Sequence, residues 1–219
     1  MPLSVRERIY EAIRDEITYG ELLPGERLTE KELSEKFQAS RSTIRECLRQ
    51  LESEGLLTFE SHKGFRVSKL STRQVEEIYD LRWLLESYAT RLTAEKTTPA
   101  QVAHLEKLQE GCGKAAHKSD LKAWLKYNTA FHNFFYENCG NDNLKLLLDT
   151  LKRRIYRYQY IIIQIPGHFE NYLAQHEKII EACRHNDGRA AEKQMQTHLR
   201  GIKKVLLEQF EKFPAMHPG

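Results

Sequence analysis

Thr29-Glu30-Lys31-Glu32-Leu33-Ser34-Glu35-Lys36-Phe37, then Gln38-Ala39-Ser40, then Arg41-Ser42-Thr43-Ile44-Arg45-Glu46-Cys47-Leu48-Arg49-Gln50-Leu51-Glu52-Ser53-Glu54: this stretch decides the fold. Thr29 and Glu32 give the Thr-x-x-Glu spacing of a capped helix start, and the helix reaches Phe37. Gln38-Ala39-Ser40 is a tight connection. From Arg41 to Glu54 a second helix buries Ile44, Cys47, Leu48 and Leu51, spaced i, i+3, i+4 and i+7. Its other side carries Ser42, Arg45 and Arg49, three and four residues apart and hence on one exposed strip. Two helices across so short a turn, the second displaying arginines and small polar residues, predict a helix-turn-helix.

Working outward, residues 4–19 place Val5, Ile9, Ala12, Ile13 and Ile17 at helical spacing, with Ser4 and Glu7 as a capping box. Tyr19-Gly20 stops that helix, and Leu23-Pro24-Gly25-Glu26 is a turn. Beyond Gly55, residues 56–60 and 65–69 alternate as short strands around the hairpin tip Ser61-His62-Lys63-Gly64. The sum is a winged helix over residues 1–70. Ser71 and Gln74 form another capping box, and everything after it reads helical: about 72–96, 99–118, 120–139, 141–164, 168–186 and 188–212. The expected fold class is therefore mainly α, a winged helix-turn-helix followed by an all-α antiparallel bundle over 71–212. Residues 213–219 read as a frayed tail.

The composition excludes several alternatives. Of 219 residues, 40% are hydrophobic and 30% charged, a globular balance. No apolar run approaches the ~20 residues that span a bilayer, and the charged N-terminus shows no secretory signal, so a cytoplasmic, nucleoid-associated location is expected. Cys47, Cys112, Cys139 and Cys183 have no C-x-x-C spacing and read as reduced structural thiols. Residues 1–70 hold 12 Lys/Arg against 13 Asp/Glu, so any nucleic-acid affinity must be local. It concentrates at Arg41, Arg45 and Arg49, and at Lys63, Arg66 and Lys69.

Leu23-Pro24-Gly25 followed by Leu28-Thr29-Glu30-Lys31-Glu32-Leu33 resembles the N-terminal domain of GntR-type regulators. So do Ser40-Arg41-Ser42-Thr43-Ile44-Arg45-Glu46, Leu48-Arg49-Gln50-Leu51-Glu52, Gly55-Leu56-Leu57 and Gly64-Phe65-Arg66-Val67. The resemblance implies double-stranded DNA as partner. By motif position it assigns Lys31, Ser40, Arg41, Ser42, Arg45 and Arg49 to groove and backbone, and Gly64 to the wing. Arginine can pair with both acceptors of a guanine edge or with phosphate, while Ser40 and Lys31 suit positioning. The helical half is similar to the FCD ligand-binding domain of the FadR-like subfamily. It carries Leu81-Arg82 with Leu85-Glu86 and Ala89, Asn128-x-x-Phe131-His132 with Gly140-Asn141, Gln175-His176-Glu177-x-Ile179-Ile180-x-Ala182, and Ala191-x-x-x-Met195-x-x-His198-Leu199.

The residues argue for a site there independently. Trp124, Asn128, Phe131, His132 and Phe135 share one helical stripe; Tyr172, His176, Ile179, Ile180 and Cys183 share another. A third joins Ala191, Met195, His198, Leu199, Ile202 and Val205. Each stripe is apolar apart from its His or Asn, and an imidazole facing a core needs a partner. One such His is more often a satisfied core residue, but three on three helices can all be satisfied by one divalent ion. With the FCD resemblance, Asn128, His132, His176 and His198 become the expected metal set, zinc first and nickel or manganese as alternatives. Metal-binding members of the family usually have Asp where this chain has Asn128. A neutral amide holds metal less tightly and leaves more positive charge for an acidic effector. Arg82 and Glu86 could form an ordinary i, i+4 pair; the resemblance instead points Arg82 at an effector carboxylate. The run Lys152-Arg153-Arg154-x-x-Arg157 reads as a solvated helix face. His104, His117, His168, His185 and His217 read as surface residues.

The functional expectation is a metabolite-responsive regulator, a repressor, binding a palindromic operator as a homodimer. A seam of Ile78, Leu81, Leu85, Tyr88 and Leu92 could serve that dimer or pack within the bundle. The competing classes are a metal-dependent hydrolase or lyase fused to a DNA-binding head, and a sensor for which the metal itself is the signal. The first needs a carboxylate base on the His stripes, and Glu177 points about 100° away on an ideal helix.

Overall fold

The computed structural model describes residues 3–61, 63–163 and 168–212. His62 at the expected wing tip, the Gln164 to Pro166 break and the tail 213–219 lie outside the described residues. Ser4 caps α1 (Val5–Thr18) through a reciprocal bond with Glu7, and α1 buries Ile9, Ile13 and Ile17. After β1 (Arg27–Leu28), Thr29 caps α2 (Glu30–Phe37) and Ser40 caps α3 (Arg41–Ser53). β2 (Leu57–Glu60) and β3 (Gly64–Val67) form the hairpin. The sheet order is β1-β3-β2, all antiparallel, with Leu57 opposite Val67, Phe59 opposite Phe65 and Arg27 opposite Arg66. β1 was not expected, because two residues carry no period. It forms because Gly25, at φ +78°, turns the chain so that Gly25 N–H donates to the Val67 carbonyl and Val67 N–H to that of Glu26.

The helical half consists of α4 (Thr72–Ala94), α5 (Pro99–His117), α6 (Leu121–Asn138), α7 (Asp142–Ile163), α8 (His168–Arg184) and α9 (Gly188–Lys212). The expected capping box of Ser71 and Gln74 is present at α4, and Thr98 with Gln101 makes another at α5. α4 packs along α9, α5 lies against α6 and α8, and α8 also meets α9. Two hydrophobic cores result, one from Ile9 to Val67 and one from Leu70 to Phe210. All four cysteines are buried and unpaired.

α1 touches α7, and this contact corrects the reading of the basic run as a solvated face. Lys152 is only 6% exposed. It shares the inward stripe of Leu148 and Ile155, four and three residues away, and adjoins buried Leu151, so the packing of α7 buries its stem and head together. Arg154 lies against Gly55, where a Cβ would stand 3.1 Å from its Cγ. The side chain of Arg157 lies outside the described residues.

Candidate functional site

On the DNA-binding half, Lys31, Ser40, Arg41, Ser42, Arg45 and Arg49 are all exposed. Ser40 accepts from the Thr43 N–H at 3.2 Å, so its hydroxyl also begins the helix that carries the strip. Arg45 makes a two-pronged pair with Glu30, both contacts at 2.7 Å. Arg49 donates to Glu52 at 2.8 Å and lies 4.3 Å over the Phe59 ring of the wing. Gly64 sits at φ +86°, a backbone that other residues rarely adopt.

The helical half brings its three expected histidines together. His132 on α6, His176 on α8 and His198 on α9 are buried, and one nitrogen from each falls within 4.8 Å of the others. Their ring centroids stand 4.9 to 5.5 Å apart. The Nδ1 of His132 donates to Glu86 Oε1 at 2.5 Å, that of His176 to Gln109 Oε1 at 3.3 Å, and that of His198 to Gln175 Oε1 at 2.7 Å. Gln109 is fixed in that sense by its own Nε2 donating to the Leu173 carbonyl at 2.8 Å. With Nδ1 protonated in all three, the Nε2 lone pairs are left, and no Nε2 has a hydrogen-bond partner.

Burial, and then the neighbouring imidazoles, hold His176 and His198 well below the usual histidine range. Burial also lowers His132, with Glu86 partly opposing. Three neutral rings with unpaired Nε2 atoms are ligands in the required protonation state. Asn128 is buried on the same stripe of α6, and its Oδ1 is unpaired. The donor set fits a divalent ion held by imidazole, with outer acceptors setting each tautomer.

Sequence reasoning missed those acceptors. Glu86 was seen only as a partner for Arg82; it is fully buried and holds both Arg82 and His132. Burial alone would raise its pKa, but Arg82 and His132 outweigh it and keep the carboxyl well below its ordinary range. Of the two readings of Arg82, the i, i+4 pair with Glu86 is present. Its Nε and Nη2 donate to Glu86 Oε2 at 3.1 and 2.9 Å, while its buried Nη1 has no partner. Gln175 sits next to His176 in sequence, and a polar pair at that spot was the available signal. Gln109 lies on a helix with no such mark. Glu177 is exposed, as are His104, His117 and His185. The side chain of His168, and all of His217, lie outside the described residues.

The family model described as bacterial regulatory proteins, gntR family, matches residues 5–67, and the FCD domain model matches residues 77–201. The chain is 30% identical over 192 residues to the HTH-type transcriptional regulator YdhC of Bacillus subtilis, covering 87% of this chain and 86% of that protein. It is 28% identical over 198 residues to the HTH-type transcriptional repressor RspR of Escherichia coli, covering 90% and 87%. The solved structure of E. coli McbR/YncC shares the fold, with TM-score 0.83 at 23% identity, 95% of this chain and 100% of that one. These relatives are transcription regulators rather than enzymes. Among the described residues no helix is long and apolar enough to cross a membrane. The chain thus belongs to the GntR family of bacterial regulatory proteins and is a DNA-binding transcription regulator with an FCD effector-binding domain.

Proposed function

We propose that this regulator is a repressor whose operator binding is set by a small carboxylate effector at a divalent metal held by His132, His176 and His198. Residues 1–70 contact DNA, and residues 71–212 sense and dimerise; the protein works in the cytoplasm on the nucleoid. The observation that carries the reading is the histidine triad itself, three buried rings with every Nδ1 occupied and every Nε2 bare. Leaving three such acceptors dry costs free energy that a shared cation recovers. Asn128 adds a neutral oxygen ligand or a hydrogen-bonding partner. Zinc suits the imidazole set, with nickel or manganese as alternatives. The bare Nη1 of Arg82 favours an organic anion over a metal-only signal, since a carboxylate would satisfy it by a charge-assisted bond.

On the DNA side, Arg41, Ser42, Arg45 and Arg49 enter the major groove, Lys31 and Ser40 hold the backbone, and the Gly64 wing approaches the duplex closely. A two-fold homodimer would present two such helices to a palindrome. The expected seam divides in support of this: Ile78 turns into the core, while Leu81 and Tyr88, with Leu84 beside them, remain exposed as a strip for a second copy.

Metal content and melting temperature test the proposal. Wild type should take up one ion per chain and melt higher with it, His176→Ala should do neither, and Asn128→Asp should hold the ion more tightly. Wild type that stays metal-free in excess zinc, nickel and manganese, with an unchanged melting temperature, would end it.

A further inference from the structure

A cleft lies between the DNA-binding and helical halves, with a volume of about 360 Å³. Arg14 and Thr18 of α1 line one side, and Thr129 and Asn133 of α6 with Lys152 and Arg153 of α7 line the other. Its charge is unbalanced. Asp149 also reaches the cleft but is held by Lys145 at 2.5 Å, and Arg14 is paired with Asp15. Lys152 and Arg153 have no carboxylate within ion-pair distance among the described residues.

Lys152 is 94% buried by its neighbours, being 6% exposed, and its ammonium donates to Asn133 Oδ1 at 2.6 Å and to the Thr129 carbonyl at 3.0 Å. Burial pushes its pKa down to about 7, against the pull of Glu86. Arg153 donates from Nη2 to Thr150 at 3.3 Å, while its Nε is buried with no partner. Two adjacent cations, one buried and the other with a bare donor, form a site short of negative charge.

We propose that this cleft binds a small oxyanion, a phosphate or a polycarboxylate, distinct from the effector at the histidine triad. Arg153 and Lys152 would neutralise it, and Arg14 would reach it from the DNA-binding half. The Thr129 hydroxyl, buried without a partner, supplies a further donor, whereas that of Thr18 already donates to the Arg14 carbonyl at 2.8 Å. Such an anion touches both halves at once. It also abuts α6, which carries Asn128 and His132 on its inner face, so the cleft adjoins the same helix as the proposed metal set. Occupancy would therefore favour one placement of the DNA-binding half over others.

Calorimetric titration of full-length protein with inorganic phosphate, and separately with citrate, at matched ionic strength in chloride, tests this. One anion per chain should bind, and Arg153→Gln should weaken it roughly tenfold or more, the loss expected for a charge-assisted hydrogen bond. Metal content of that variant should be unchanged. Arg153 and Arg14 are partly exposed, so their variants should fold, and Arg14→Gln should weaken binding as well. Binding of phosphate alone would identify a phosphate site, and binding of citrate alone a carboxylate site. Two results would overturn the proposal: no heat from either anion at millimolar concentration, or an affinity unchanged in both arginine variants. Citrate binding that is lost in His176→Ala but kept in Arg153→Gln would place the anion at the metal and overturn it equally.

Discussion

The two halves of the molecule keep their charges in opposite places. On α3, Arg41, Arg45 and Arg49 stand in solvent, and Arg45 and Arg49 draw their partners, Glu30 and Glu52, from the same small domain. In the helical half, Arg82, Glu86, Lys152 and three imidazoles are buried. Exposed cations are cheap to place and grip a phosphate polymer by releasing its counterions, in a salt-dependent and forgiving way. Buried ones are tolerated only where geometry satisfies them, and a donor or acceptor left bare marks a missing guest. The surface of this regulator therefore addresses a long polyanion, and its interior addresses small ligands.

The sharpest way to break that contrast is to remove the carboxylate at the centre of the buried set. Glu86→Ala leaves Arg82 without its counter-charge and His132 without its acceptor. The expected cost is ~3–5 kcal/mol of folding stability, as for other broken buried pairs. Denaturant unfolding measures it, and a loss below ~1 kcal/mol, the scale of an exposed pair, would show that water enters the site and that the buried charges are not dry.

Gln175→Ala probes the same interior without removing a charge. It frees the Nδ1 of His198, which then has no acceptor to set its tautomer. Metal affinity should fall by about 10–100-fold, the usual penalty for losing an outer partner of a histidine ligand. Competition with a chromophoric chelator reads it. An unchanged affinity would mean that the ring is held by packing alone.

Legibility in the sequence followed the same division. The α3 strip, the capping boxes at Ser4 and Ser71, and the three histidines could be read because each rests on a local repeat of three or four residues. β1 was invisible because Arg27-Leu28 is too short for any period and is created by its partner strand. Lys152 was misread because its run of basic neighbours suggested solvent, whereas the stripe of Leu148, Leu151 and Ile155 pointed inward. Glu86 as a partner of His132 could not be found, because the two are 46 residues apart and joined only by the packing of α4 on α6.

On the exposed side the effects should be smaller. Arg45→Ala should weaken operator binding by roughly five- to tenfold while leaving random DNA less affected, the lower end of what a base-reading arginine contributes. The low end is expected because wild type must first give up the Glu30 pair. Equal weakening on operator and random DNA, at fixed salt, would make Arg45 a phosphate contact.

Glu30→Gln tests that competition directly. Glu30 holds Arg45 through two short contacts, and this bonding is the main reason its carboxyl is more acidic than usual. Yet most of the Arg45 side chain is in solvent, so the pair is weak and exchangeable. The glutamine variant frees Arg45 and removes a negative charge close to the DNA-facing strip. Both operator and random DNA should bind about two- to threefold more tightly at low salt, with the gain fading as screening shortens the reach of the lost charge. Melting temperature should hardly move. If operator binding weakens instead, the pair presents Arg45 in its reading geometry, and the exposed charges of this domain are as strictly arranged as the buried ones.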